Sequence, residues 1–515
     1  MKIRNVFLAA LMVACMATGE VHAEWRVYET RNFIVYSDKN AKEIKKFSHS
    51  LEEYRAFLVH ALNVKIDMLD QLPLTVFLLD EQSKYNDLVG VKRTAGIFSN
   101  TPSGPVAAFF TGHKWSVFSQ DSLQVMRHEY VHHLMRQQST PVYYPLWYSE
   151  GMAEFLSTYY VKNGQAVLGD LLLARMPALA RQQFWFDMKE LLTTKTAIME
   201  GRPKAQAGVF YGQAWLLTRM LFTDAEFQTN LNFFVTDLSK GISPEEALKN
   251  RYSLSFEDLD KKFRSHYKNV SKALKGNRKI IQISLPAPKA SIEVFRKGKL
   301  SAVDSEWVEQ QLTYKFQHSD KEHKNQAENG KNAYEKTGDT RFKRLEILTK
   351  RDLNKWDEAW EVLQAVLSEN PKDPHINLAA GQLLIDREFK EINKEENPRK
   401  IDLESVKLAR QHLTIAVEAN EWDALSRLYM ANSYIIGQQD KWKEATPYIL
   451  DAYALYPQYF AITRNYLDLL LHEKNYGKAC LLLRPLFHLD SSEEYREDMQ
   501  KRLDRLPNQA EVCPV

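Results

Sequence analysis

The sequence predicts an α+β domain followed by an all-α helical-repeat domain. Three observations carry this expectation. Short strand-like runs alternate with helical ones through the first half of the chain. Two adjoining helical segments then concentrate histidine and glutamate. In the last third, alanines flanked by aromatic residues recur at 34-residue spacing. A length of 515 residues implies more than one domain, and 44% hydrophobic residues suffice for packed cores. The 69 Lys and Arg nearly balance the 66 Asp and Glu, for a net charge of +3. Composition therefore points to no nucleic acid and no strongly charged partner.

Residues 1–23 read as a secretory signal peptide. Lys2 and Arg4 precede an apolar run from Val6 to Ala17, and Val21-His22-Ala23 supplies a cleavage site after Ala23. The run is short for a transmembrane helix, and no other segment offers about 20 apolar residues. The mature chain is thus expected to be exported, with the periplasm the preferred destination and no transmembrane segment. A minor alternative is lipid anchoring through Cys15, because Met12-Val13-Ala14-Cys15 loosely resembles a lipoprotein cleavage site.

A domain is expected over 24–275. Asn32 to Tyr36 alternates as a strand, and Lys39 to Asn63 places Phe47, Leu51, Tyr54 and Leu58 at helical spacing. Leu74 to Leu79, Ala95 to Phe98 and Val106 to Phe110 read as further strands. A helix over Ser122 to Met135 follows, with Leu123, Met126, Tyr130, Val131 and Leu134 as its buried stripe and Asp121 or Ser122 as N-cap. Pro141 and Pro145 end it, and Trp147 to Tyr160 begins another. Helices over Ala207 to Leu221, Pro244 to Asn250 and Ser255 to Tyr267 complete the domain.

The first of the paired helices carries His128-Glu129-Tyr130-Val131-His132. Histidines four apart lie on one helix face, about 6 Å apart along the axis, so both imidazoles can reach one zinc ion. Glu129 then stands beside the metal's open position as a base for water. Glu150 on the next helix is the candidate third ligand, and Glu154, one turn later, the candidate partner of a ligand histidine's far nitrogen. Tyr211 is the candidate oxyanion donor, ahead of His133, which faces away from the ligand histidines. Val106, Ala107 and Ala108 are candidate substrate-binding residues if their strand forms the sheet edge, where an extended peptide could pair with it.

His-Glu-Tyr-Val-His followed by Trp-Tyr-Ser-Glu-Gly-Met-Ala-Glu-Phe resembles the gluzincin metallopeptidases, and among them the bacterial peptidase MA-like proteins. The resemblance covers about residues 25 to 270 and implies a thermolysin-like (zincin) fold. It implies one Zn2+ per chain, held by His128, His132 and Glu150, with Glu129 as catalytic base, Glu154 behind the ligands and a peptide or protein as substrate. Two other readings remain open. One is a zinc-stabilised scaffold without activity, against which an intact Glu129 argues. The other is a zinc hydrolase of a non-peptide amide.

Residues 276–304 read as a linker or bridging segment, with an isolated strand from Ile280 to Leu285. The run from His318 to Asn332 is strongly polar, although its flanks could form helices. Over 305–515, Trp356-Asp357-Glu358-Ala359, Trp442-Lys443-Glu444-Ala445 and Tyr476-Gly477-Lys478-Ala479 mark repeating units. Ala409 falls near the same register after an insertion around Arg387 to Ile401. This pattern resembles a degenerate tetratricopeptide array, which implies a protein partner bound through the repeats. Cys480 and Cys513, the two cysteines left after export, permit one disulfide.

Overall fold

A computed structural model describes residues 24–62, 71–91, 96–111, 120–136, 144–194, 205–276, 281–393, 400–436, 441–486, 493–507 and 513. The segment expected to be a signal peptide, with Cys15, lies outside them. Its first sheet grows from alternating apolar residues. Strands β1 (Arg26–Thr30) and β2 (Phe33–Ser37) pair antiparallel. β3 (Leu74–Leu79) runs parallel to β2, and β5 (Gly104–Phe110) parallel to β3. β4 (Gly96–Thr101) turns back antiparallel along β5.

Both faces of the β3–β5 pair are covered, which is why these strands read as almost continuous apolar runs. Val76, Leu78, Ala107 and Phe109 pack into the large core with helix α1 (Ala41–Ala61). Phe77, Leu79, Val106, Ala108 and Phe110 pack on the opposite face with Tyr85 and Val89 of α2 (Gln82–Val89). The expectation that Val106, Ala107 and Ala108 form the sheet edge is therefore overturned. β5 is hydrogen-bonded on both sides, by β3 and by β4, and β4 is the edge strand.

Next come α3 (Gln120–Arg136) and α4 (Leu146–Ser157), which pack against each other and on α1 through the large core. α3 begins at Gln120, so Asp121 and Ser122 stand in its first turn instead of capping it. α4 ends at Ser157, earlier than the sequence suggested, because the chain enters a second sheet. β6 (Tyr160–Lys162) and β7 (Gln165–Leu168) are joined by Asn163 and Gly164, both with positive φ, the conformation a two-residue hairpin turn requires. A short helix (Leu173–Arg175) leads into α5 (Met176–Leu179), α6 (Met188–Thr193) and α7 (Ala205–Thr223). α8 (Ala225–Gln228), α9 (Leu231–Ser239), α10 (Pro244–Tyr252) and α11 (Phe256–Leu274) follow.

The segment 276–304 contributes to both sheets. β8 (Ile283–Pro286) pairs with β7, so this strand is not isolated. β9 (Val294–Lys299) pairs with β1, giving the six-stranded order β4-β5-β3-β2-β1-β9.

From residue 302 the described chain is helical. α12 (Ala302–Phe316) lays Val308 and Leu312 on the sheet face already lined by Phe77 and Val106. α13 (Asp320–Thr337) runs straight through the polar segment. A capping box of Ser319 and Glu322 starts it, and Gly330 lets it approach Phe342 of α14 (Thr340–Asp352) closely. α15 (Trp356–Glu369), α16 (Pro374–Ile392), α17 (Leu403–Ala419), α18 (Ala424–Ile435), α19 (Trp442–Leu455), α20 (Phe460–His472), α21 (Tyr476–Leu486) and α22 (Glu493–Leu503) continue the stack. Ala359, Ala409, Ala445 and Ala479 are all fully buried, one in each odd-numbered helix from α15 to α21, where a larger side chain would hold the neighbour off. Cys480 and Cys513 are joined as a disulfide. Among the described residues no helix is long and apolar enough to cross a membrane.

Candidate metal centre

The site is built by two helices held at a fixed distance. On α3, Leu123, Met126, Tyr130, Val131 and Leu134 are buried, so the helix presents His128 and His132 towards α4 in one orientation. α4 begins after Pro145 and presents Glu150 to those histidines. Gly151 explains how close the next layer comes. A Cβ there would lie 2.5 Å from the Ala214 carbonyl oxygen of α7 and would also collide with Thr218. The glycine after Glu150 is thus a packing requirement, and it brings α7 with Tyr211 against the site.

Nε2 of His128, Nε2 of His132 and Oε2 of Glu150 form a triangle with sides of 3.3 Å. Tetrahedral nitrogen and oxygen ligands about 2.0–2.1 Å from a zinc ion stand ~3.3 Å from one another. The donor set therefore fits the ion in both chemistry and spacing. Among the described residues, no other three His, Cys, Asp or Glu side chains converge in this way.

Burial alone would raise the Glu150 carboxyl pKa, but hydrogen bonds and charge from His128 and His132 outweigh it and hold the group well below the usual carboxylate range. Burial alone would lower that of His128. Its hydrogen bond with Glu150 and the charges of Glu154, Glu150 and Glu129 reverse the direction. Three acidic side chains thus make a pocket of negative potential around two imidazoles, a setting that favours a bound cation.

Glu129 is half-buried, and its charge acts on both His128 and Tyr211. Burial, followed by the charges of Glu150, Glu129 and Glu154, pushes the Tyr211 phenol up to about 12, against the opposing effect of Arg175. Tyr211 is therefore a neutral phenol at the site, able to donate a hydrogen bond. His133 is buried between Phe98 and Tyr130, away from the triangle of His128, His132 and Glu150.

The supporting residues differ from the sequence expectation. Glu154 Oε1 lies 3.6 Å from His128 Nδ1, an ion-pair distance beyond a direct hydrogen bond. It is held instead by Arg175, whose Nε donates at 2.9 Å and whose guanidinium lies over the Tyr211 ring. His132 Nδ1 pairs with Ser149 Oγ at 3.2 Å. Neither Ser149 nor Arg175 was singled out from the sequence. Ser149, adjacent to Glu150, could have been found from position, whereas Arg175 arrives from beyond the second sheet and carries no local signal.

No protein-family model matches the chain. No curated protein matches it either.

Proposed function

We propose that the chain is an exported zinc-dependent metallopeptidase of the gluzincin type, with a thermolysin-like catalytic half and tetratricopeptide-like repeats that recruit substrate or partner. The observation that carries this reading is the 3.3 Å triangle of His128, His132 and Glu150, with Glu129 next to the first histidine on the same helix.

His128, His132 and Glu150 would hold the zinc, which when bound would supply Lewis acidity for activating water near neutral pH. Glu129 takes the proton from the attacking water and passes it to the leaving amine. Tyr211, neutral at physiological pH, donates to the oxyanion of the tetrahedral intermediate. Arg175 and Glu154 fix His128, and Ser149 fixes His132. An extended substrate adds to β4, the edge strand whose Phe98 packs 5.3 Å from the His133 ring of α3.

The test compares zinc content and peptide-library cleavage for the mature chain and Glu129→Gln. The expected result is one zinc in each and cleavage by the wild type alone. Zinc in both without cleavage by either would favour the scaffold or the non-peptide reading. A folded chain that takes up no zinc would overturn the proposal at its base.

A further inference from the structure

Helix α12 lines two separate spaces. Its Trp307, Gln311 and Tyr314 face a cavity shared with α14, α16 and α18. Its Glu306, Glu309 and Gln310 turn to a different side, where they line a second cavity of about 300 Å3. Gln326 of α13 closes that cavity, and Leu88 of α2 and Leu345 of α14 give it apolar walls. The volume is at the lower end of small-molecule sites.

The polar groups of this second cavity are acceptors in search of donors. Gln310 Nε2 donates to Glu306 Oε1 at 3.3 Å, and Gln326 Nε2 donates to the Gln317 carbonyl at 3.2 Å. These bonds fix both amides, because a flip would set oxygen against oxygen. The Oε1 atoms of Gln310 and Gln326 are therefore true acceptors, and both are buried without a hydrogen-bond partner. Gln326 as a whole is only 3% exposed. A buried acceptor left unmade carries a cost that an incoming donor recovers.

The charges point the same way. Glu309 accepts from the Trp25 indole at 2.8 Å and lies 3.0 Å from Lys84 Nζ. Lys84 is shared with Asp38, at 3.3 Å, so one lysine faces two carboxylates. Glu306 forms no ion pair with a described residue, and among the described residues no Lys, Arg or His lines the cavity. It is left with unmatched negative charge.

We propose that this cavity binds the alkylammonium group of an amine, received by Glu306, Gln310 and Gln326. A primary ammonium carries three donors and no acceptor, and the cavity answers with one carboxylate and two amide oxygens. Leu88 and Leu345 suit its methylene stem, since such stems lie along apolar surface while the charged head stays among polar groups. A calcium ion would need about six to eight oxygen ligands. Among the described residues, only His128, His132 and Glu150 converge as a metal site. The amine is a free small molecule or a lysine side chain, which present the same head. The proposal stands whether or not α3 and α4 hold zinc.

The test titrates the full mature chain with four probes, read by ligand-observed NMR. These are n-pentylammonium, n-pentanol, tetramethylammonium and Nα-acetyl-lysine N-methylamide. The pentylammonium ion should bind roughly tenfold tighter than pentanol, which lacks the charge, and than tetramethylammonium, which lacks the donors. The lysine amide separates the sources: it binds tighter than pentylammonium if the natural group is a lysine, and weaker if it is a free amine. The acids around His128 are the other place a cation could lodge, so substitutions in α12 and α13 locate the binding. Glu306→Gln and Gln326→Met should each weaken it about tenfold, while exposed Glu245→Gln leaves it unchanged. If Gln326→Met does not fold, Glu306→Gln decides. Equal binding of pentylammonium, pentanol and tetramethylammonium, binding by none, or insensitivity to both substitutions overturns the proposal. Displacement of pentylammonium by calcium at equal concentration would overturn it in favour of a metal ion.

Discussion

Glu154→Gln is the sharpest test of how the candidate metal centre is held. Glu154 is 4% exposed, and its Oε1 sits 3.6 Å from His128 Nδ1 while bonded to Arg175. Glutamine keeps the shape and removes the charge. Partners behind a metal ligand typically contribute 10- to 100-fold in affinity, about 1.4–2.7 kcal/mol. The 3.6 Å separation exceeds a direct hydrogen bond, so the effect is electrostatic and belongs near the lower end, about tenfold. Arg175 is one-third exposed and can re-solvate, so the fold should lose little. Ser149→Ala removes one neutral 3.2 Å contact to His132 and should cost only a few-fold. Competition for zinc with a chromophoric chelator measures both variants. A Glu154→Gln affinity within twofold of wild type, with the circular dichroism unchanged, would refute the assignment. So would a larger loss from Ser149→Ala than from Glu154→Gln.

Gly151→Ala should destabilise the chain by about 2–3 kcal/mol in urea unfolding, because the added methyl meets the Ala214 backbone and Thr218 and α7 must move away. His266, which contacts Arg219 at 3.0 Å, is pushed down to about 4 by burial and then by the Arg219 charge. Its unfolded form takes up a proton first as pH falls below the ordinary histidine value, so stability should drop by about 2–3 kcal/mol between pH 8 and pH 4.5. His266→Gln, which keeps an acceptor for Arg219, should flatten that limb in denaturant titrations at the two pH values. Cys513→Ser opens a disulfide spanning 33 residues, whose loop-closure contribution is at most about 3–4 kcal/mol, and should speed tryptic cleavage within α21 and α22.

The first domain was legible where local pattern and tertiary packing agree. Phe47, Leu51, Tyr54 and Leu58 are spaced for one helix face, and all four are buried on it. The histidine spacing on α3 fixes geometry within one helix, so that part of the site needed no tertiary knowledge. What failed were relations between distant segments. Val106 to Ala108 look like any apolar strand, and only the return of β4 along β5 makes them interior. The basic stretch after Pro288 reads as a linker because all six residues of β9 are exposed, and hydrogen bonding to β1 alone makes it a strand. Two misses had signals in plain view. Asn163-Gly164 is a strong hairpin turn, and Ser319 with Glu322 is a capping box at the head of a run judged only by its polarity.

The same long-range relations bear on how independent the two halves are. A chain ended near residue 275 would lose β8 and β9, uncovering the edges of β7 and β1. It would also lose α12, which covers Phe77, Val106 and Phe110 and receives the Trp25 indole N–H on Glu309 at 2.8 Å. Farther along, the Leu72 amide donates to the Leu455 carbonyl at 2.9 Å, tying the start of β3 to the end of α19. The C-terminal helices therefore complete the first sheet's packing. The tip of the β4–β5 hairpin lies at this junction, where the Tyr456 hydroxyl bonds Asn100 at 3.3 Å. Phe98 of β4 packs 5.3 Å from the His133 ring, and His133 follows His132 on α3. The β4–β5 hairpin thus touches both the C-terminal helices and α3, the helix that carries His128 and His132.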